Sequence, residues 1–319
     1  MKIVVLDGYA ANPGDLSWDE MASLGEITLY DRTAPEDVIS RIGDAEIVLT
    51  NKVEISEAVL AACPNIRFIC ETATGFNNID VAAAKNRGIP VSNIPAYSTS
   101  SVAQMVFSFL LEIAQRIVPH SDAVHAGRWT NCEDFCFRDY PLFELEGKTL
   151  GIIGYGTIGK KVANIAVSFG MKVLACSRTF RPELETEHIK IVTQDEVIAQ
   201  SDIITLHCPQ NPESQGLICT DTIEKMKDGV IVINTARGGC MVEADVRAAL
   251  ESGKLGFYAT DVLSKEPPSA DNPLLGAPNA FITPHIAWMT FEARSRLMHI
   301  ILENTRAFLS GSPINVVNP

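Results

Sequence analysis

Short apolar runs alternate with amphipathic segments along nearly the whole chain. A run bounded by turn residues predicts a strand buried on both faces, and apolar residues at helical spacing predict a helix that covers it. Strands that alternate with helices indicate an α/β fold built on parallel sheets. In the first part of the chain the predicted strands are Lys2–Asp7, Glu26–Tyr30, Glu46–Thr50, Arg67–Glu71 and Ile89–Asn93, with helices at Pro35–Ile42, Ser56–Ala62 and Asn78–Arg87.

The same alternation fills the second part of the chain and predicts a second sheet. A final helix, about Thr290 to Leu309, is expected to return to the first domain. We therefore predict two doubly wound parallel-sheet domains with a cleft between them: a flavodoxin-like domain of residues 1–98 plus 289–319, and a Rossmann domain of residues 99–288. The predicted strands of the second domain are Leu150–Ile153, Lys172–Cys176, Asp202–Leu206, Val230–Asn234, Gly256–Thr260 and Ala280–Thr283.

A long amphipathic helix is predicted directly before the second sheet, from about Val102 to Ile117, and Pro119 is expected to end it. The next stretch, His120 to Glu146, is aromatic and irregular. It is either a packed surface loop or an arm that clasps a second subunit, and its aromatic content favours the arm.

The segment GIIGYGTIG, residues 151–159, joins a predicted strand to a predicted helix. Its glycines at 154, 156 and 159 have the G-x-G-x-x-G spacing of a dinucleotide-binding turn. In such a turn Gly154 permits the bend, Gly156 lets the backbone approach a pyrophosphate, and Gly159 lets the helix lie close to the strand. Free N–H groups near Thr157 and Ile158 would then face the anion. A glycine turn without a ligand is the alternative, which the flanking strand and helix disfavour.

The end of the following strand bears on the choice of cofactor. NAD-binding folds usually place a carboxylate there, which bonds the adenosine ribose. Ser177 and Arg178 occupy this position instead. A hydroxyl beside a guanidinium suits a 2′-phosphate, so the sequence favours NADP(H). The alternative is that Arg178 covers the adenine face, which would suit NAD(H) as well.

Composition and charge narrow the classes of partner. The 319 residues carry a formal net charge of −13, so nucleic-acid binding is not expected. Charged and amide side chains interrupt the most apolar segment, residues 102–118, so no membrane span is predicted. The eight cysteines include no C-x-x-C pair, and no histidine stands at ligand spacing to Cys132 and Cys136. No metal site is therefore predicted, and the apolar surroundings of most cysteines indicate thiols of a reducing cytoplasm.

Three polar clusters follow predicted strands of the second domain, at the edge where open α/β sheets bind ligands. Arg237 can present its planar guanidinium to a substrate carboxylate and polarise a keto oxygen. His285 can donate a proton as a hydride reaches that carbonyl, and remove it in the reverse direction. Glu266 can hydrogen-bond His285 and favour its charged form. Each residue alone is equally typical of a core or a surface. Their shared edge downstream of the glycine turn predicts hydride transfer to a carbonyl.

Across essentially its whole length the sequence resembles the D-isomer-specific 2-hydroxyacid dehydrogenase family. The resemblance rests on the segments GYGTIG at 154–159, LHCP at 206–209, INTARGG at 233–239, DVLSKEPP at 261–268 and TPHIAW at 283–288. Three further segments are most similar to bacterial members called glycerate dehydrogenases or hydroxypyruvate reductases: ATGFNNID at 73–80, PAYSTSSVAQ at 95–104 and DFCFRDYPL at 134–142.

The resemblance implies an N-terminal substrate domain completed by the last helix, a coenzyme domain, and a homodimer formed largely through the latter. It implies that Arg237, Glu266 and His285 are the catalytic residues. Two departures from the family pattern are Ser177, where an acidic residue is common, and Gln104, where glutamate is common. The resemblance also implies cofactor contacts from Cys208, Pro209, Thr235, Ala236 and Asp261, and substrate contacts from Lys52, Thr74, Gly75 and Arg237.

These features predict an oxidoreductase that transfers a hydride between NAD(P)H and a small 2-keto acid. Hydroxypyruvate or glyoxylate, reduced to D-glycerate or glycolate, is the leading substrate. One alternative is a broad D-2-hydroxyacid dehydrogenase of the D-lactate type. Another is a non-catalytic, corepressor-like protein that senses NAD(H). The intact catalytic trio favours an enzyme over the sensor.

Overall fold

The computed structural model describes residues 1–179 and 181–319. The chain divides into two units, one of Met1–Ser98 with Met289–Pro319 and one of Thr99–Trp288. Each unit has its own parallel sheet with helices, so the predicted α/β fold class is confirmed.

The first unit is built on a five-stranded parallel sheet of order β2-β1-β3-β4-β5. All four residues of β3 and of β4 are buried, as expected for strands covered on both faces. Side chains of Ser56 and Asp80 cap two of the helices by accepting bonds from Val59 N and Ala83 N. The strands are β1 (Lys2–Val5), β2 (Glu26–Leu29), β3 (Ile47–Thr50), β4 (Phe68–Glu71) and β5 (Val91–Ser92), and the helices are α1 (Asp19–Ala22), α2 (Val38–Ile42), α3 (Glu57–Ala62) and α4 (Val81–Asn86).

Two helices open the second unit, α5 (Thr99–Gln115) and α6 (Ile117–His125). The predicted helix was expected to run to Ile117 and end at Pro119, but it ends at Gln115, where Arg116 adopts a left-handed conformation with φ 51°. Pro119 then lies in the first turn of α6, where its missing N–H costs no helical bond. Part of the stretch predicted to be irregular is therefore helical.

The sheet of the second unit has seven parallel strands in the order β12-β11-β10-β9-β6-β7-β8. The chain reverses its direction of travel across the sheet between β6 and β9, which is the switch point where such sheets bind ligands. Strand β8 was not predicted, because it has only three residues. Its two buried isoleucines are separated by an exposed lysine, so they do not form a longer apolar run. The strands are β6 (Thr149–Ile153), β7 (Lys172–Cys176), β8 (Ile189–Ile191), β9 (Ile203–Leu206), β10 (Val230–Asn234), β11 (Leu255–Thr260) and β12 (Ala280–Ile282), with helices α7 (Thr157–Ser168), α8 (Gln194–Gln200), α9 (Thr220–Glu224) and α10 (Glu243–Ser252).

Two apolar cores cover the two faces of this sheet. One joins α5 and α7 to Leu150 and Ile152 of β6, and the other joins α8 and α10 to Ile153 of the same strand. No single helix of residues 1–179 and 181–319 is long and apolar enough to cross a membrane. The helices α5 and α6 meet that test only as a pair, and the pair is bent by 56°.

The last helix, α11 (Phe291–Leu309), is part of the first unit. It packs on β4, where the ring of Phe308 stacks on that of Phe68 with centroids 4.6 Å apart. The chain after α11 makes an antiparallel bridge between Val316 and Ser92 of β5. The predicted return of the C-terminal helix is thus explained by apolar packing on the first sheet.

Candidate active site

The glycine turn between β6 and α7 has the shape that its spacing predicts. Gly154 has φ 104°, a conformation that favours glycine, and a Cβ atom there would lie 2.5 Å from the backbone of Cys208. A Cβ atom on Gly159 would lie 2.3 Å from the carbonyl oxygen of Gly154, so the helix can lie close to the strand only with glycine here. Gly156 differs, because a Cβ atom there would meet nothing within 4 Å. The structure thus leaves open space at the glycine that precedes Thr157 and Ile158.

Polar atoms without partners lie close to this turn in the sheet. The hydroxyl of Thr235, just past β10, and Nδ1 of His207, just past β9, are buried and lack a hydrogen-bond partner in the part of the chain that the structure describes. Burial lowers the pKa of His207 to about 3, so its imidazole is neutral. Open space at Gly156 and unpaired polar atoms at the switch point fit a dinucleotide, whose phosphates and carboxamide would supply partners.

The residues that follow β7 carry no carboxylate. Ser177 and Arg178 are exposed, and the Ser177 hydroxyl donates a bond to the carbonyl oxygen of Thr179 at 2.7 Å. That bond uses the hydroxyl proton and leaves the oxygen lone pairs as acceptors. A ribose hydroxyl could donate to this oxygen, whereas a phosphate would need the neighbouring guanidinium.

Arg237 lies three residues past the end of β10, on a loop that is stabilised by hydrogen bonds between its own residues. Asn234 donates to the Arg237 carbonyl at 2.9 Å and accepts from Ala236 N at 3.0 Å. The exposed Arg237 guanidinium donates from Nη1 to the Ala236 carbonyl at 2.7 Å. A Cβ atom on Gly238 would overlap the backbone of Leu263 at 1.9 Å. The arginine loop is therefore pressed against the loop that follows β11.

The loop after β11 and the loop after β12 meet through Glu266 and His285. His285 Nδ1 lies 2.5 Å from Glu266 Oε2, and Leu263 N donates to Glu266 Oε1 at 2.9 Å. Both side chains are about one-third exposed. His285 has φ 56°, a left-handed conformation that is uncommon outside glycine and often marks functional sites. The structure therefore brings two of the three predicted catalytic side chains into direct contact, and it leaves Nε2 of His285 as the outer ring nitrogen.

Asp261 anchors the loop that carries His285. This buried carboxylate accepts from the Thr283 hydroxyl at 2.5 Å, from Ile286 N at 2.8 Å and from Ala287 N at 2.8 Å. Burial raises the pKa of Asp261, while these hydrogen bonds act in the opposite direction. Sequence reasoning gave Asp261 only a cofactor contact. Its bonds on both sides of His285 were missed, although the short spacing from Thr283 to Ala287 after a strand was a signal for them.

The predicted substrate residues of the first unit lie on two neighbouring loops. Lys52 follows β3, and Thr74 with Gly75 follows β4, so both loops leave the same edge of that sheet. Lys52 and Thr74 are exposed. The Thr74 hydroxyl donates to the Ile94 carbonyl at 2.8 Å, and Asn93 donates to the Thr74 carbonyl at 2.7 Å. Within residues 1–179 and 181–319, no group of three or more His, Cys, Asp or Glu side chains could hold a metal ion.

Comparison with known proteins identifies the relatives of this chain. Residues 107–287 match the sequence model of the D-isomer specific 2-hydroxyacid dehydrogenase, NAD binding domain. A hydroxypyruvate reductase of Blautia hydrogenotrophica is 53% identical over 100% of both chains. A glycerate dehydrogenase of Methylorubrum extorquens is 40% identical over 99% of this chain and 98% of its own. The predicted family resemblance is confirmed.

Solved structures agree with these sequence relatives. An acyclic imino acid reductase in complex with NADPH and D-Arg superposes with a TM-score of 0.87 at 29% identity, over 99% of this chain and 100% of its own. A D-lactate dehydrogenase from Aquifex aeolicus, complexed with NAD and lactic acid, gives a TM-score of 0.85 at 28% identity over 100% and 99%. These neighbours hold different nicotinamide dinucleotides on the same fold.

Proposed function

Because this chain belongs to the D-isomer-specific 2-hydroxyacid dehydrogenase family, we propose that it reduces hydroxypyruvate to D-glycerate, and glyoxylate to glycolate, with a nicotinamide dinucleotide. It is an NAD(P)-dependent oxidoreductase. The contact between His285 and Glu266, whose loop packs against the Arg237 loop, carries the catalytic part of the proposal. The full-length relatives named hydroxypyruvate reductase and glycerate dehydrogenase support the substrate.

The proposed reaction assigns one task to each catalytic side chain. The bound reduced cofactor supplies the hydride. Arg237 holds the substrate carboxylate with its planar guanidinium and polarises the neighbouring keto oxygen. His285 donates a proton from Nε2 to that oxygen, because its Nδ1 faces Glu266. Glu266 fixes the ring orientation and stabilises the protonated imidazole, and Asp261 holds the loop on which the ring is carried.

We assign the dinucleotide to the edge of the second sheet at the glycine turn. The open space at Gly156 and the first N–H groups of α7, at Thr157 and Ile158, would receive its pyrophosphate. The loop after β9, with Cys208 and Pro209, and the loop after β10, with Thr235 and Ala236, would line the remainder. Ser177 and Arg178 favour NADP(H) over NAD(H), since no carboxylate stands there to repel a 2′-phosphate.

We assign the substrate carboxylate to the Thr74-Gly75 backbone and Lys52 in addition to Arg237. The cations of Lys52 and Arg237 suit the carboxylate of a small keto acid. The backbone amides of Thr74 and Gly75 suit an anion such as hydroxypyruvate, whose 3-hydroxyl also needs hydrogen bonds. Polar residues of this kind favour hydroxypyruvate and glyoxylate over keto acids with large apolar side chains.

The chain is proposed to act as a homodimer in the cytoplasm. Large apolar side chains of α6 and the following loop are exposed, and Phe135 is 90% exposed. A patch of this kind indicates a protein contact, and a second copy fits it because the patch belongs to the dinucleotide-binding unit. All eight cysteines are free thiols, which suits a reducing compartment. The exposed apolar residues are Ile117, Val118, Val124, Trp129, Phe135, Tyr140 and Leu142.

A substrate panel tests the proposal. Purified protein would be mixed with NADPH or NADH and with hydroxypyruvate, glyoxylate, pyruvate or 2-ketoisocaproate, and loss of reduced-nicotinamide absorbance recorded. We expect the highest kcat/KM with hydroxypyruvate, at least about tenfold above pyruvate, and D-glycerate as the product. A higher value with pyruvate or 2-ketoisocaproate would indicate the broad dehydrogenase instead. Cofactor binding without turnover of any keto acid would indicate the sensor.

A further inference from the structure

A buried carboxyl group lies at the end of β4, outside the catalytic trio. Glu71 is 0% exposed. Its Oε2 accepts a hydrogen bond from the Asn78 side chain at 3.0 Å. Its Oε1 is buried and has no hydrogen-bond partner among residues 1–179 and 181–319. If this carboxyl group were ionised, one of its oxygens would be buried without a hydrogen-bond donor. This disfavours the ionised form.

The groups that face Glu71 explain its protonation state. Asp7 approaches from the end of β1, Lys52 from the loop after β3, and Cys70 precedes Glu71 in β4, where Asn304 of α11 contacts the Cys70 thiol. The pKa of Glu71 is raised to about 9, and burial is the largest cause. The charge of Asp7 also raises it, while the hydrogen bond from Asn78 and the charge of Lys52 lower it. Burial also keeps Cys70 neutral by raising its pKa to about 12. Glu71 is therefore an uncharged acid at neutral pH.

Hydrogen bonds around Glu71 fasten two loops together: the β3 loop, residues 51–55, and the β4 loop, residues 72–80. The Asn78 amide donates to both Glu71 Oε2 and the Val53 carbonyl, the latter at 3.1 Å. The Asn51 amide donates to the Thr72 carbonyl at 3.0 Å. The Asp7 carboxylate accepts from the backbone N–H groups of residues 51, 52 and 53 at 2.8, 2.6 and 3.2 Å. The side-chain amide of Asn78 thus links Glu71 to the loop that carries Lys52.

We propose that Glu71 is a positioning residue: its neutral form holds the β3 and β4 loops in register, and its ionisation weakens binding of the 2-keto acid without changing turnover of the bound substrate. This rests on the proposed function, because it takes Lys52, Thr74 and Gly75 as substrate contacts.

The chemistry of the pocket explains why ionisation would disturb the loops. A second negative charge would arise beside the Asp7 carboxylate, and Oε1 would need donors that the folded loops do not supply. Hydration of this buried carboxylate would require its surroundings to open, and we expect the β3 and β4 loops to separate because Asn78 joins both of them at Glu71. Lys52 and Thr74 would then leave their binding positions, and the added charge would also repel an anionic substrate.

Glu71→Gln tests this proposal, because glutamine has the same shape and stays neutral at every pH. KM for hydroxypyruvate and kcat would be measured with NADPH from pH 7 to pH 10 in both proteins. Any pH effect that both proteins share cancels in their ratio. We expect the wild-type KM divided by the variant KM to be near one at pH 7 and about tenfold at pH 10, one unit above a pKa of about 9. The kcat ratio should stay near one.

Glu54→Gln is the matched control, since Glu54 is an exposed acid on the same β3 loop. Its KM should follow the wild type at every pH. A KM ratio for Glu71→Gln that is equal at pH 7 and pH 10 would overturn the proposal. If that variant does not fold, Glu71→Met, which is also neutral and of similar size, replaces it with the same expectations.

Thermal unfolding gives a readout that needs no substrate. The pKa of Glu71 is near 9 in the folded protein and about 4.5 in the unfolded chain. As pH rises, Glu71 therefore loses its proton at a lower pH in the unfolded chain than in the folded protein. The wild type should lose stability relative to Glu71→Gln as pH rises from about 4.5 to about 9, and the difference should then stay constant. A pH-independent difference in Tm would overturn the buried neutral acid whether or not the protein turns over keto acids. Absence of turnover with a pH-dependent Tm difference would refute the proposed function while leaving the neutral state of Glu71 intact.

Discussion

Glu266 Oε2 and His285 Nδ1 lie 2.5 Å apart, although the two residues come from loops after different strands. Leu263 N donates to the other Glu266 oxygen, and His285 has a left-handed backbone with φ 56°. An acid held in this way selects one imidazole orientation and leaves Nε2 as the outer ring nitrogen.

Glu266→Gln should lower kcat/KM for the keto acid by about 100-fold. Glutamine can still accept the Nδ1 proton, but it does not supply the negative charge that stabilises the imidazolium. Steady-state kinetics would measure the loss, and fluorescence titration would show NADPH affinity within about twofold of wild type. Turnover equal to that of the wild type would remove Glu266 from the catalytic group.

Asp261→Asn should lower kcat and also reduce stability by about 1–3 kcal/mol, because an amide cannot accept from Thr283, Ile286 and Ala287 together. Loss of this anchor frees the loop of His285. Asp271→Asn, a change of the same type at an exposed acid, is the control. Denaturant unfolding and kinetics would be compared for both variants. Equal effects of the two changes would argue against an anchoring role.

The glycine turn and the sheet edge that carries Arg237, Glu266 and His285 could be predicted from short segments of sequence. The spacing of Gly154, Gly156 and Gly159 encodes a turn whose steric demands reappear in the structure. The contact between Glu266 and His285 was also expected, since the ends of neighbouring parallel strands share one edge.

Other features depend on contacts that one sequence does not reveal. The break at Arg116 arises from a left-handed residue between two helical segments with a continuous apolar pattern. The network of Asp7, Asn51, Glu71 and Asn78 joins residues from the ends of three different strands and the loops after them, and only Asn78 lies in a segment that the sequence comparison singles out. Long-range burial, rather than local propensity, determines both features.

Gly156→Ala and Gly159→Ala form a matched pair that separates cofactor binding from folding. A methyl group on Gly156 meets no protein atom within 4 Å, so Tm should be unchanged while NADPH affinity falls at least about tenfold. A methyl group on Gly159 would lie 2.3 Å from the Gly154 carbonyl oxygen, so the fold should lose about 1–3 kcal/mol. Unchanged NADPH affinity in Gly156→Ala would contradict placement of the pyrophosphate at this turn.

Ser177→Asp should shift cofactor preference from NADPH toward NADH by about tenfold or more, corresponding to a like-charge penalty of about 1–3 kcal/mol against a 2′-phosphate. Ser177→Ala is the control, since it removes the hydroxyl without adding charge. The ratio of kcat/KM values for the two cofactors measures the shift. A ratio for Ser177→Asp that matches the wild type would refute selection at this position.

Arg237→Ala tests whether this arginine binds a 2-keto acid and polarises its keto oxygen. The measurement is kcat/KM for hydroxypyruvate in the variant and the wild type, with NADPH affinity and Tm determined on the same samples. We expect kcat/KM to fall by about 1000-fold or more, near 4 kcal/mol in transition-state stabilisation, and NADPH affinity to stay within about twofold of wild type. Arg237→Lys should recover little, because an ammonium group lacks the planar fork. Wild-type kcat/KM in Arg237→Ala would show that Arg237 neither binds nor polarises the keto acid.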